Sequence, residues 1–414
     1  MANSDTEVVI VGGGAAGIAA GRRLAKAAID YLLVEARPRL GGRAWTVSDA
    51  SGVALDLGCG WLHSADRNPW TAVAQAQGRT LDKSPPPWSK PALPIGFPLP
   101  EQAEFSNALH AFFERISVAA TKRPDIAAAD LLTPGGRWNN LIAAVCTYIS
   151  GAEPDRLSAR DFDNYAGNDV NWRVREGYGA MIAAHGEGLA AMLDCPVLQI
   201  DHQGRRLKIE TPRGTITADQ AIVTLPTSIL ADKEFLFSPA LPEKTQAARG
   251  LPLGLADKLF LSLDNAEEFE VDTRLFGHTD RSATASYSLR VAGQPVIECY
   301  FGGRLAHELE AGGERAFFDF AAAELSGVMG SDFSRRIKPL NIHCWGTDPF
   351  ARGSYSYAQP GMADCRAKLA VPVNDRLFFA GEACSLNDFS TAHGGYLTGV
   401  AAADQVIAAR SRRP

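Results

Sequence analysis

A run of closely spaced glycines near the start of the chain, Gly12-Gly13-Gly14-Ala15-Ala16-Gly17, and a carboxylate at Glu35 have types and spacing that imply chemistry. The Gly-x-Gly-x-x-Gly order suits a phosphate. Gly12 permits a tight turn, Gly14 lets the backbone approach a pyrophosphate, and Gly17 lets a helix pack closely on a strand. The N–H groups at the start of that helix would face the negative charge. A carboxylate about twenty residues further on can accept both hydroxyls of an adenosine ribose. The chemistry implied is binding of a dinucleotide, and this pattern alone fits FAD or NAD.

Regular elements must hold these residues in place. Val8-Val9-Ile10-Val11 reads as a short buried strand, residues 15 to 28 as a helix, and Tyr31-Leu32-Leu33-Val34 as a second strand that delivers Glu35. A proline-rich stretch, 84–100, reads as an extended excursion that Trp88, Leu93, Ile95 and Phe97 keep packed. Helical patterns cover 105–119, 141–148 and 178–193, and strand-like runs return at 197–200, 207–210 and 221–224. Further strands at 259–263 and 296–301 accompany a helix over 314–327. Near the end, 376–383 reads as a buried strand that stops at Gly381 and Glu382, followed by a helix from about 394 to 409. The order Gly186-Glu187-Gly188-Leu189-Ala190-Ala191 repeats the glycine spacing, but no strand precedes it and it reads as ordinary helix. Without a second nucleotide site, a bound flavin would be reduced directly by substrate.

Composition narrows the classes. Hydrophobic content of 46% with 21% charged residues is that of a globular chain, and 414 residues can bury a core in two or three units. A net charge of -6 argues against nucleic acid as a partner. The cysteines are seven, scattered and without a CxxC pair, so neither a disulfide framework nor a metal site is expected. No basic and apolar leader opens the chain and no apolar run reaches membrane-spanning length. A soluble cytoplasmic protein is expected.

Several segments resemble the flavin amine oxidase superfamily, nearest the polyamine oxidases, the lysine-specific histone demethylases and the catalytic domains of monoamine oxidases. The segments are Arg37-Pro38-Arg39-Leu40-Gly41-Gly42-Arg43, Asp56-Leu57-Gly58-Cys59-Gly60-Trp61-Leu62-His63, Gly254-Leu255-Ala256-Asp257-Lys258-Leu259-Phe260-Leu261, Trp345-Gly346-Thr347-Asp348-Pro349 with Gly353-Ser354-Tyr355-Ser356-Tyr357, and Thr391-Ala392-His393-Gly394-Gly395-Tyr396-Leu397-Thr398-Gly399. The resemblance implies an α/β chain with a Rossmann-like FAD-binding domain of the glutathione-reductase type (1–75, 195–235 and 346–414). Interleaved with it is a substrate-binding domain of mixed sheet plus helices (76–194 and 236–345).

The cofactor implied is FAD, held non-covalently because Ser354 stands where monoamine oxidases carry the tethering cysteine. FAD contacts would come from Gly12, Gly14, Ala15, Ala16, Gly17, Glu35, Ala36, Arg37, Gly42, Arg43, Gly58, Gly60 and Trp61. The backbone of Val197 would meet the adenine, and Trp345, Gly381, Glu382, Gly395 and Tyr396 would complete the set. Tyr355 and Tyr396 would form an aromatic cage in front of the flavin, Lys258 would hold a water at its N5, and Trp61 and His63 would line the substrate tunnel.

The activity implied is oxidation of an amine C–N bond by hydride transfer to the flavin. The imine then hydrolyses to a carbonyl plus an amine, and O2 or another acceptor reoxidises the flavin, with H2O2 as product if oxygen serves. The partners expected are a small-molecule amine and the acceptor, with no nucleic acid and no membrane. Alternatives are a C–C desaturase of the same fold and a flavin-binding protein without catalysis. The resemblance thins over 80–195, where the substrate pocket would be built. Asp163, Asp169 and Glu176 are the acidic candidates there for a distal cationic group.

Overall fold

The first strand, Ser4–Val11, contains Val8, Val9, Ile10 and Val11, all buried. An apolar run buried on both faces belongs inside a parallel sheet. In the computed structural model, which describes residues 4–232 and 236–412, this strand pairs in parallel with Tyr31–Val34 on one side and Gly214–Val223 on the other. Strand Gly214–Val223 serves two further neighbours. Its first half forms an antiparallel hairpin with Leu207–Thr211, and its second half takes Leu377–Phe379 in parallel. The two ends of the chain therefore bond to one strand, and this α/β sheet is the Rossmann-like unit.

Two helices cover one face of the sheet, the crossover helix Ala15–Lys26 and the C-terminal helix Ala392–Ser411. Ala16, Ala20 and Leu24 of the first and Ala402, Ala403 and Val406 of the second share one apolar cluster with Val8, Ile10 and Phe378 of the strands. The helices touch backbone to backbone: a Cβ on Gly399 would meet the Ala16 carbonyl oxygen at 2.1 Å.

A second unit centres on a five-stranded antiparallel sheet in the order Thr273–Phe276, Ser286–Leu289, Val296–Gly302, Ala256–Leu263, Ile337–Ile342. Side chains alternate between its faces. Leu259, Leu261, Ile297, Cys299, Tyr287 and Leu289 enter an apolar cluster with Phe317, Ala321 and Leu325 of helix Glu314–Met329. The other face presents Lys258, Glu298, Tyr300, Ser286, Ser288 and Arg274 to the space between the units. Helices Leu99–Ala120, Asn139–Ser150 and Ala159–Asn164 close the side of that space.

Three expectations are corrected. The helix expected over 178–193 stops at His185; Gly186–Gly188 is a turn, with Gly188 at φ +75, and Ala191–Met192 is an edge strand pairing with Tyr31–Val34. The second glycine motif is thus a turn before a strand, opposite to the order a nucleotide site requires. The helix expected from 105 begins at Leu99, because Pro100 occupies the first turn, where its missing N–H costs nothing. The proline-rich excursion packs only in part: Phe97 is buried against Phe105, Trp138 and Phe276, while Trp88 and Ile95 stay exposed. Among the described residues no helix is long and apolar enough to cross a membrane.

The helix contact yields a paired test. Gly399→Ala should lower the free energy of unfolding by about 1–3 kcal/mol, because the neighbouring backbone must move. Gly327→Ala, also in a helix but with nothing within 4 Å of the added Cβ, should raise it by about 0.5–1 kcal/mol. Urea unfolding of both variants checks this, and effects of the same sign would contradict the packing described.

Candidate active site

The two units enclose a continuous cavity of about 1000 Å3. The termini build one end. Gly12, Gly14, Ala15, Ala16, Glu35, Ala36, Arg37, Gly42, Arg43 and Val197 all line it. Helix Ala15–Lys26 opens onto this end with no side-chain cap and no acid in its first turn, so its first N–H groups are available to an anion. Added carbons at Gly14 would find only the Gly41 oxygen, at 4.0 Å, so the cavity reaches the backbone. Gly17 does not line the cavity. A Cβ there would lie 1.9 Å from the Gly12 oxygen, so its side of the helix packs against the turn.

Glu35 is buried and accepts from the Gly13 N–H at 2.6 Å and the Arg37 N–H at 2.8 Å. Burial pushes its carboxyl above the usual range, and these N–H groups only partly offset that. Arg37 lines the cavity but its fork is committed: Nη1 and Nη2 donate to Asp348 at 2.8 and 2.6 Å. Burial raises the Asp348 pKa, but His343 at 2.9 Å and Arg37 more than reverse this and hold the carboxyl well below the ordinary range. Trp345 donates its indole N–H to the Leu57 oxygen at 3.0 Å, and Gly58 is glycine because a Cβ would strike the Arg43 oxygen at 1.8 Å.

The first and last segments meet again through Arg43, which donates to Glu382 at 3.0 Å and to the Ser354 oxygen at 2.7 Å. Glu382 also accepts from the Ser356 hydroxyl at 2.6 Å and the Ser390 N–H at 2.9 Å. Burial opposes its charge, but Arg43, Ser356 and Arg366 prevail and keep it ionised. Behind it Arg366, 1% exposed, bonds Asp161 at 2.6 and 2.8 Å and the Ser356 hydroxyl at 2.9 Å. No spacing rule links positions 161 and 366, and the sequence reading missed both. Gly381, at φ +135, and Gly395 also line this wall. The Ser354 hydroxyl turns to the Ala256 backbone, donating to its oxygen at 2.8 Å and accepting from its N–H at 2.9 Å.

The other end is aromatic. Lys258 is buried, donates to the Asp56 oxygen at 3.1 Å and lies 3.5 Å from Glu298. Desolvation favours its neutral form, yet Glu298, Tyr300 and Asp56 together outweigh it and raise its pKa. Tyr300, opposite Lys258 in the sheet, has its hydroxyl 2.9 Å from that of Tyr355. Tyr355 spends its single proton on the Tyr148 carbonyl at 2.7 Å, so Tyr300 must be the donor between the two phenols. Trp61 stacks edge-on with Trp88 at 4.6 Å and lies under the Arg173 guanidinium at 4.1 Å. His63 lines the cavity with Nδ1 2.7 Å from Asn171 Oδ1, and burial lowers its pKa.

Tyr396 is a correction. The expected cage pairs it with Tyr355, but its ring packs edge-on against Trp70 at 5.0 Å and lies 6.4 Å from His185, and it does not line the cavity. Neighbouring residues on a helix project about 100° apart. With Gly395 facing Ala15 and Ala16, Tyr396 is turned into the apolar cluster of Leu62, Trp70 and Ile182. The phenol beside Tyr355 is Tyr300 instead. Of the three acidic candidates, Asp163 accepts from Ser117 at 2.5 Å and Glu176 from the Thr80 N–H at 3.0 Å. Asp169 alone reaches the cavity, at an exposed position. The sequence reading also missed Tyr148, Glu298, Arg173 and Arg274; alternation along 296–302 could have put Glu298 and Tyr300 on one face, but not opposite Lys258.

The family described as flavin containing amine oxidoreductase matches residues 103–407, and an NAD(P)-binding Rossmann-like domain matches residues 10–76. Polyamine oxidase 4 of Oryza sativa subsp. japonica is 28% identical, covering 97% of this chain and 88% of the relative. Polyamine oxidase 2 of Arabidopsis thaliana is 29% identical, covering 98% and 88%. A solved structure of putrescine oxidase bound to putrescine superposes with a TM-score of 0.78 over 98% of this chain and 100% of that one. At 16% identity, that likeness speaks to the fold alone.

The two depressed carboxylates set an acid limb. A folded-state pKa below the ordinary value of about 4 gives stability that is complete above that value and drains away as pH falls toward the depressed one. Asp348→Asn should lower the unfolding free energy at pH 7 by about 3 kcal/mol, since it leaves Arg37 with half its partner. The gap to the natural protein should narrow by about 1 kcal/mol for each pH unit below 4. A gap that stays constant in unfolding experiments from pH 7 to pH 3 would refute the ion-pair account.

Proposed function

This chain belongs to the flavin-containing amine oxidoreductases, and from that premise we propose that it is an oxidase that turns an amine into an imine between Lys258, Tyr300, Tyr355 and Trp61, with O2 as acceptor and H2O2 as product. It is a flavin-dependent enzyme whose cofactor is FAD. The open N-terminus of helix Ala15–Lys26, the glycines at 14 and 42, Arg43 and Glu35 fit the diphosphate and ribose of that cofactor. Bound FAD supplies a two-electron acceptor for the hydride released when an amine C–N bond is oxidised.

The protein's own groups do the rest. An ammonium has no lone pair to stabilise the cation that develops as hydride leaves, so the amine must be neutral. Walls of Trp61, Tyr148, Tyr300, Tyr355 and Phe162 penalise the charged form and lower the amine's pKa. Burial first, and their mutual contact next, push the Tyr355 hydroxyl pKa up, so the phenols stay protonated and do not act as bases. Tyr300 gives its proton to Tyr355 and keeps lone pairs that can accept an amine N–H and orient it.

Lys258 is the observation that carries the oxidase reading. Glu298 and the Asp56 carbonyl hold it as a cation at the cavity wall, where a fixed positive charge favours negative charge forming on oxygen as it is reduced. Its remaining N–H can hold a water, which would also supply the hydrolysis of the imine. Lys258→Met should slow reaction of the reduced enzyme with oxygen about tenfold or more. Stopped-flow traces after anaerobic reduction by an alkylamine, with peroxide counted by a coupled assay, measure this. An unchanged rate would remove Lys258 from the oxygen step.

A further inference from the structure

The cavity face of the antiparallel sheet has more positive charge than its carboxylates balance. Lys258 lies beside Glu298, and Arg173 donates to Asp272 at 2.6 Å. Arg274 has no such partner. Its guanidinium lies over the Phe276 ring at 4.2 Å and near Tyr148, and no hydrogen bond or ion pair engages it among the described residues. Asp161, the nearby acid on the helical side, is spent on Arg366. Asp169 is uncommitted but exposed, where attraction is screened.

Arg274 is not isolated in chemistry. It stands opposite Ser288, which stands opposite Glu298, while Ser286 stands opposite Tyr300. Arg274, Ser286 and Ser288 all line the cavity, and neither serine hydroxyl bonds another side chain among the described residues. Three uncommitted donors therefore share one patch. Burial pushes the Arg274 pKa down from 12.5 to about 10, the cost of a desolvated cation without a counter-charge. A ligand that brings the negative charge removes that cost.

We propose that this patch is a carboxylate subsite anchored by Arg274, so that the substrate is an amine bearing a carboxylate at the end away from its reactive nitrogen. The proposal rests on the amine-oxidation reading above. The planar guanidinium can take both carboxylate oxygens, with the serine hydroxyls beside it. The strands bearing Arg274 and Tyr300 are two spacings apart, roughly 10 Å, which suits an ω-aminoalkanoate of medium length. A diamine would instead bring its second ammonium toward the unpaired Arg274, and like charges repel.

The test uses the FAD-loaded enzyme and two independent readouts. Calorimetry should show hexanoate binding to the natural protein and weakening about tenfold or more in Arg274→Gln, with Arg274→Lys retaining part of the affinity. In turnover, the ratio of kcat/KM for 6-aminohexanoate over n-hexylamine should fall by a similar factor in Arg274→Gln. Hexanoate binding that is equal in the natural protein and Arg274→Gln overturns the proposal, as does a natural protein that prefers 1,6-diaminohexane to 6-aminohexanoate. If no amine of the set reduces the flavin while hexanoate binding still depends on Arg274, the amine-oxidation reading fails and the anion subsite stands.

Discussion

A buried chain of charge fixes the rest of the molecule: Asp161 to Arg366, Arg366 through the Ser356 hydroxyl to Glu382, and Glu382 to Arg43. It joins a helix of the middle segment, the strand carrying Tyr355, the end of the last sheet strand and the loop after the first βαβ unit. Each ion would be costly alone, and removing one strands the others in a medium that cannot solvate them. Apolar packing would tolerate small shifts among these segments, whereas a fork held at 2.6 and 2.8 Å does not. The price of desolvation is met because the same geometry defines the wall on which both a dinucleotide and an amine must be placed.

Charge is also sorted along the cavity. At the dinucleotide end the ionised groups are paired internally, Arg37 with Asp348 and Arg43 with Glu382, which leaves backbone N–H groups to face phosphate. At the aromatic end Lys258 approaches the reaction space as a cation fixed by Glu298, Arg173 above Trp61 is paired with Asp272, and Arg274 stands toward the far end. This division keeps a fixed positive charge at one side of the reaction space while leaving aromatic walls around the amine. The pairing of Tyr300 with Tyr355 follows the same economy, since each phenol proton has a defined acceptor.

Much of this was legible in the residues. The apolar run before Gly12, the helix after it and Glu35 at the end of the next strand specify one βαβ unit by local rules alone, and the structure builds it. The apolar run Leu377-Phe378-Phe379 announces an interior strand, and all three are buried. What could not be read was the direction of side chains on elements whose ends and partners are set by the tertiary fold. Tyr396 sits in the expected helix, but which way it faces depends on Gly395 and Gly399 packing on the first helix. The turn at Gly186–Gly188 reads as helix because Leu189, Ala191 and Met192 are apolar in either state, and only pairing with Tyr31–Val34 decides for a strand.

Register explains why the substrate end was the least legible part. Lys258 is marked by its own segment, but Tyr300 and Glu298 become its neighbours only because Ala256–Leu263 and Val296–Gly302 pair as they do, and a slip of one residue would turn both away. Arg274 is further removed, since two strand pairings in series bring it to the same face. Motifs near the cofactor therefore constrain the chemistry, while the charge of the chamber is set by residues that carry no motif. Two chains alike in every flavin-side segment can thus present opposite charge to the far end of an amine, and the identity of that far end is written in the antiparallel sheet.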